Sequence, residues 1–198
     1  DVRLTPEEMA STCLVRHLAP LFDLYVNDAF AAAHRSAPSM VAFQRLLPSA
    51  AGRLLSAELM ALSAVVDNPA RPALFVLGGL KVSDGFSMMD RVLADGLADR
   101  ILTSGVLGEI FLLADGVRLG EPTEQFIAER DLDRFIDAAA SLLANHRDRI
   151  ALPLDVATAV EGQRRESAVS DLPVDDMILD IGTETIAAFE SEIAEAGT

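Results

Sequence analysis

The sequence predicts an α/β protein with parallel, Rossmann-like sheets, and three observations carry that prediction. Short runs such as Leu74-Phe75-Val76-Leu77 are apolar throughout, without the alternation of a half-exposed strand. Segments with apolar residues at helical spacing follow them. The turns between are rich in glycine and small residues, as at Gly78-Gly79 and Thr103-Ser104-Gly105. Strands and helices alternating in this way indicate a parallel sheet covered on both faces.

Thr5-Pro6-Glu7-Glu8 starts a helix, with Thr5 as cap, Pro6 at the first helical position and Glu8 completing a capping box. Met9, Leu14, Val15 and Leu18 continue it at helical spacing, and Pro20 ends it. Leu24-Tyr25-Val26 reads as a buried strand, and residues 27–38 as a polar, alanine-rich connection without a helical stripe. Residues 50–66 form a strong helix with Leu54, Leu55, Leu59, Leu62, Val65 and Val66 on one side, ended by Asp67-Asn68-Pro69.

The second stretch has a different grammar. After the strand at Leu74–Leu77 come a helix over residues 84–97, a strand at Ile101-Leu102 and a helix through Leu113. Residues 124–145 read as one long amphipathic helix carrying Phe126, Ile127, Leu132, Phe135, Ile136, Leu142 and Leu143. Ile150-Ala151-Leu152 is a third strand and Met177-Ile178-Leu179 a fourth, and the last helix begins at Thr183. Residues 161–176, polar and containing Pro173, read as a loop or short hairpin. The expected organisation is part of one lobe over residues 1–49, a connecting helix over 50–68, and most of a doubly wound lobe over 69–198.

Hydrophobic residues make up 51% of the 198 positions and charged ones 24%, which describes a folded chain rather than a disordered one. The longest uncharged apolar stretch, residues 73–80, is far short of the ~20 that span a bilayer. No basic leader with a cleavage site opens the sequence, and Cys13 has no second cysteine to pair with, so a cytoplasmic location is expected. A net charge of −15 disfavours nucleic acid and anionic membranes as partners. Among 16 basic residues Lys81 is the single lysine; the arginine excess reads as genome composition or a salt-adapted surface.

Ligands of open α/β sheets gather at the carboxyl ends of strands, and two such places carry unusual residues. One is Gly78-Gly79-Leu80-Lys81, where glycines admit a close ligand and an ammonium can neutralise phosphate. It is neither a Walker loop nor GxGxxG, and taken alone ordinary turn chemistry is the plainer reading of such a sequence. Thr103-Ser104-Gly105 ends the next strand similarly, so the two turns either cradle an anion or merely permit close helix–strand packing. The other place is residues 25–36, where His34 and Arg35 form a cationic island in an acidic chain; a surface pairing of Arg35 with Asp28 is the plainer reading. His17, His34 and His146 have no partners at metal-ligand spacing, so no metal site is expected. Cys13 lies in a helical pattern with no base expected nearby, which argues against nucleophilic catalysis.

Residues 25–30 (YVNDAF) with Ala33-His34-Arg35 resemble the phosphoglycerate kinase signature around a substrate-binding arginine. Residues 77–84 (LGGLKVSD) are similar to that family's nucleotide-side turn, and residues 48–72 to its interdomain helix. Leu152-Pro153-Leu154-Asp155-Val156 and Asp180-Ile181-Gly182 match two later landmarks in order, so the likeness runs from about Leu14 to the end. The wording of residues 31–36 and 101–105 is closest to the archaeal-type branch.

The resemblance implies glycolytic transfer of a phosphoryl group between 1,3-bisphosphoglycerate and ADP, giving 3-phosphoglycerate and ATP, with Mg2+ on the nucleotide. It implies a substrate-binding N-terminal lobe and a nucleotide-binding C-terminal lobe that close by hinge motion, in a parent that is a monomer or weak dimer. By that likeness Arg35 and His34 bind phosphoglycerate, Gly78, Gly79, Ser104 and Gly105 approach the nucleotide, and Lys81 meets the phosphates as the catalytic cation. Gly85 stands where many members carry a second lysine, and Leu80 replaces a usual small residue. The family's N-terminal Asp and Arg strands, its His-Leu-Gly-Arg segment and its Asn-Gly-Pro and Gly-Gly-Gly-Asp-Thr motifs do not occur in the chain. It is therefore expected to be an internal fragment without turnover, the alternative being a non-catalytic nucleotide- or phosphate-binding module.

Overall fold

The structure, a computed structural model, describes residues 4–198, which fall into two compact units divided between Asn68 and Pro69. In the first unit, α1 (Pro6–Ala10) opens with the expected capping box: the Glu8 N–H donates to Thr5 Oγ1 and the Thr5 N–H to Glu8 Oε2. The expected single helix breaks there, and α2 (Cys13–Leu18) starts afresh at Thr12. Ser11 and Thr12 donate their hydroxyls to the Glu8 and Met9 carbonyls, a local bonding that competes with helix continuation.

β1 (Tyr25–Asn27) pairs in parallel with β2 (Ser49–Ala51), a strand too small in its side chains to register in the sequence. Between them lie a 3-10 turn at Phe30–Ala32, the short helix α3 (Pro38–Val41) and a 3-10 turn at Phe43–Arg45. Met9, Val15, Ala19, Ala42 and Phe43 form the core, with the Tyr25 ring stacked on Phe43 at 5.5 Å. α4 (Arg53–Asp67) follows β2. Of its apolar stripe only Leu55 is buried, while Leu54, Leu59, Met60, Leu62 and Val66 are exposed.

The second unit has the predicted parallel α/β architecture. β3 (Leu74–Leu77), β4 (Arg100–Thr103) and β5 (Ile150–Ala151) form a parallel sheet in that order, with Leu77 opposite Thr103. α5 (Val82–Ala94) connects β3 to β4, and α6 (Gly105–Ala114) leaves β4. The expected long helix is two: α7 (Glu121–Glu129) and α8 (Ile136–His146), separated by Asp131 at φ +56 and a 3-10 turn at Asp133–Phe135. The apolar stripe continues across the break because Phe126, Leu132, Phe135 and Ile136 all pack on one core with Phe86, Ile110 and Phe111.

The expected fourth parallel strand belongs to a different sheet. β6 (Asp155–Val160) and β7 (Gln163–Ala168) form an antiparallel hairpin, and β8 (Ile178–Ile181) pairs antiparallel with β6. The polar composition of β7 reflects its exposure, which is why residues 161–176 resemble a loop in sequence. α9 (Thr183–Glu195) closes the unit, held to β4 by the two-pronged Arg100–Glu192 pair at 2.7 and 3.1 Å. No helix among the described residues is long and apolar enough to cross a membrane.

Candidate functional site

The two small-residue turns of the second unit meet. A Cβ added at Gly78 would collide with the Ser104 hydroxyl and lie 3.0 Å from its carbonyl oxygen. One added at Gly105 would lie 3.1 Å from the Gly79 nitrogen. Close packing is thus one reason for small residues here, but it does not account for Gly79. That glycine has φ +90 and open space around it, so its backbone conformation and not a neighbour requires it.

Both turns deliver helix N-termini. Lys81 is the N-cap of α5 and Ser104 that of α6, and neither side chain caps its helix, which leaves first-turn N–H groups to an incoming acceptor. Lys81 is exposed and joins none of the ion pairs among the described residues. Beside the turns opens a cavity of about 250 Å³ whose wall combines Gly79, Leu80 and Gly105 with Val106, Phe126 and Leu179.

Glu109, which the sequence reading passed over, also lines this cavity and is buried. Burial pushes its carboxyl up to about 7. The signal was a single charge inside the otherwise apolar helix Gly105-Val106-Leu107-Gly108-Glu109-Ile110-Phe111-Leu112.

His34 and Arg35 lie in the first unit, in the turn after Phe30–Ala32, where both are exposed. The plain pairing of Arg35 with Asp28 does not occur. Asp28 instead caps α4, accepting a hydrogen bond from the Leu55 N–H at 2.9 Å, and Gly52 leaves room for its carboxylate. Arg35 forms no ion pair among the described residues and is free to meet an anion. The expectation of no base near Cys13 is corrected, since His17 Nδ1 lies 3.5 Å from its sulfur, one helical turn away. The same nitrogen sits 2.8 Å from the Cys13 carbonyl, and a nitrogen that donates there cannot take the thiol proton. No group of three or more His, Cys, Asp or Glu side chains among the described residues is placed to hold a metal ion.

The sequence model of phosphoglycerate kinase matches residues 1–198. The chain belongs to the phosphoglycerate kinase family. Phosphoglycerate kinase of Halobacterium salinarum is 48% identical over 195 residues, covering 98% of this chain and 49% of that protein. Phosphoglycerate kinase of Methanothermobacter thermautotrophicus is 46% identical over 193 residues, covering 98% and 47%. The crystal structure of phosphoglycerate kinase from Pyrococcus horikoshii OT3 matches with a TM-score of 0.93 at 33% identity, over 98% of this chain and 49% of that one. The structure of phosphoglycerate kinase from Coxiella burnetii matches with a TM-score of 0.77 at 27% identity, with the same coverage. The chain spans about half the length of these phosphoglycerate kinases, and its curated archaeal relatives agree with the archaeal-type wording of its motifs.

One departure from the family pattern and one of its landmarks gain a physical account. A Cβ at Gly85 would already meet the Leu107 side chain at 3.2 Å, so α5 and α6 approach here through the absence of a side chain. Asp155, in one of the phosphoglycerate kinase landmarks, caps α9: Glu184 and Thr185 donate their N–H groups to its carboxylate at 2.9 and 2.8 Å. The Thr185 hydroxyl adds a bond at 2.5 Å, and Gly182 leaves the space the carboxylate fills.

Proposed function

We propose that this chain carries parts of the two ligand sites of a phosphoglycerate kinase, and that its full-length parent transfers a phosphoryl group between 1,3-bisphosphoglycerate and ADP. The organisation that goes with this is part of a substrate lobe over residues 1–49, an interdomain helix over 50–68 and part of a nucleotide lobe over 69–198. The observation that carries the nucleotide side is the meeting of the two glycine turns beside an open cavity, with an unpaired lysine at the N-terminus of α5.

Within that reading, ADP lies against Gly78, Gly79, Ser104 and Gly105, and the free first-turn N–H groups of α6 donate to its phosphate oxygens. Lys81 neutralises the group in flight, because phosphoryl transfer needs positioning and charge compensation more than covalent chemistry. Mg2+ arrives on the nucleotide as part of the substrate and supplies further charge neutralisation. Arg35, with His34 beside it, holds the phosphoglycerate, whose phosphate and carboxylate suit a guanidinium fork. Both ligands are soluble metabolites, which fits a cytoplasmic enzyme.

The deciding experiment measures ATP formation from 1,3-bisphosphoglycerate and ADP by the full-length protein. Lys81→Ala should lower kcat by roughly 10²–10³-fold, the cost of one oriented charge-stabilising donor. Lys81→Arg should recover only part of it, since a guanidinium is not an ammonium in shape. Unchanged kcat in Lys81→Ala would remove the lysine from the chemistry. The second reading, a nucleotide-binding module without turnover, applies to the 198-residue chain by itself, which spans about half of its relatives. It predicts ADP binding by calorimetry and no ATP formation, and turnover by this chain alone would refute it.

A further inference from the structure

Glu109 is 6% exposed and makes no hydrogen bond or ion pair with any described residue. No wholly enclosed side-chain oxygen among those residues lacks a partner, so the unpartnered carboxyl of Glu109 opens onto the space it lines. It borders two such spaces: the 250 Å³ cavity beside the glycine turns and a small pocket of about 10 Å³ toward Pro153 and Asp180. A charged residue kept in an apolar helix, buried and unpaired, is costly unless a ligand completes it.

The geometry points to Glu109 as the residue that reads the nucleobase, its carboxyl pairing with the hydrogen-bonding edge of adenine. This rests on the proposal that the cavity takes the nucleotide, and assigns to that site the group that selects the base. Val106, Phe126, Met177 and Leu179 supply the apolar wall that suits the faces of a flat heteroaromatic ring. A space of 250 Å³ lies just below the usual range for ligand pockets, about 300–1,000 Å³, and so fits a base whose sugar and phosphates extend toward the turns. Within the lining, Glu109 is the one side chain with strong hydrogen-bonding atoms.

Protonation decides what that side chain can read. Burial holds the carboxyl neutral up to about 7. A neutral carboxyl sets a donor O–H beside an acceptor oxygen, whereas the ionised form only accepts. Adenine offers the N6 amino donor beside a ring-nitrogen acceptor, which complements the neutral form. Guanine offers donors at N1 and N2, which complement the ionised form. The preference for adenine should therefore hold below about 7 and decline above it.

The surrounding charges do not offset this. α5 carries Asp84, Asp90 and Arg91 on its exposed side, and α8 carries Asp137 and the half-buried His146. Arg100 of β4 is taken by Glu192, Glu124 of α7 is taken by Arg118, and Arg130 lies over the Phe126 ring. Asp180 of β8 is the one other charged residue that shares a lining with Glu109, and it is an anion, so no cation faces the carboxyl there.

The test is calorimetric binding of ADP and GDP to the full-length protein at pH 6 and pH 8, for wild type, Glu109→Gln and Glu109→Leu. The ratio of the two affinities cancels the phosphate titration common to both nucleotides. In the wild type the ADP preference should fall by roughly 10–100-fold between the two pH values, tenfold from loss of the neutral form that adenine uses and up to tenfold more from gain of the ionised form that guanine uses. Glu109→Gln keeps a donor and an acceptor at either pH and should hold the ratio constant. Glu109→Leu should discriminate poorly at both. A wild-type ratio independent of pH, or wild-type discrimination in Glu109→Leu, overturns the assignment; should the leucine variant not fold, the glutamine variant decides by its pH response. Failure of ADP to bind the wild type at all overturns the nucleotide reading itself, whereas ADP binding with an unaltered ratio overturns only the role of Glu109.

Discussion

Gly78 and Ser104, at the ends of adjacent parallel strands, pack so closely that a single added methyl on the glycine would collide with the serine hydroxyl. Gly78→Ala must therefore push the two turns apart, and the expected destabilisation is about 1–3 kcal/mol, as for other overpacked sites. Ser104→Gly in the same protein should recover part of it by vacating the hydroxyl. Gly79→Ala differs in cause: nothing lies near its Cβ, so its cost of about 1–2 kcal/mol comes from φ +90 alone, and no neighbouring change should rescue it. Denaturant melts of the three variants separate the two mechanisms.

Asp28 binds α4 rather than Arg35. Asp28→Ala should cost about 1 kcal/mol through the lost helix cap, with Asp28→Asn retaining most of the stability. Neither change should strengthen or weaken phosphoglycerate binding more than slightly, while Arg35→Ala should weaken it by roughly 10–100-fold, the range for a hydrogen bond to a charged group. Inhibition by 3-phosphoglycerate at constant ADP reads both effects.

Glu109 links stability to pH in the alkaline direction. Its folded carboxyl stays protonated to about 7, against an ordinary value of 4.5, so the unfolded chain releases the proton first as pH rises. The contribution is fully present below about 4.5 and is lost as pH climbs through 7. Glu109→Gln should match wild type near pH 4.5 and be more stable at pH 8, by up to ~3 kcal/mol. Equal stability of the two proteins at pH 8 would show that the carboxyl ionises in place without strain.

Asp155 acts in the opposite sense. Burial works against its charge, but the Thr185 hydroxyl and the Thr185 and Glu184 N–H groups outweigh it and hold the carboxyl below its ordinary 3.8. Its contribution is present above about 3.8 and is lost as pH falls through the lower folded value. Asp155→Asn should therefore be less stable than wild type at neutral pH, with the gap narrowing toward pH 3. A gap of constant size across that range would mean that the hydroxyl and amide donors do not depend on the charge.

Much of the architecture was legible in the sequence because it depends on local patterns. The capping box at Thr5, the apolar runs of β3 to β5 and the glycine turns each declare themselves within a few residues. The break between α7 and α8 did not, because the stripe from Phe126 to Ile136 serves one core on both sides of Asp131. β8 was legible as a strand but not as antiparallel, since direction depends on its pairing with β6, more than 15 positions away. Arg35 and Lys81 stood out as cations in an acidic chain, yet only tertiary contacts show that Asp28 leaves Arg35 unpaired.

By itself the sequence determined the α/β class, the two glycine turns and the likeness to a kinase family, because periodicity, glycine placement and motif order are properties of the chain alone. Which small residues are demanded by a neighbour and which by their own backbone was decided only in three dimensions, where a Cβ on Gly78 would strike Ser104 and one on Gly79 would meet nothing. The same holds for Glu109: a carboxyl acquires an unusual proton affinity from the walls that shut water away, and those walls come from α6, α7 and β8 together.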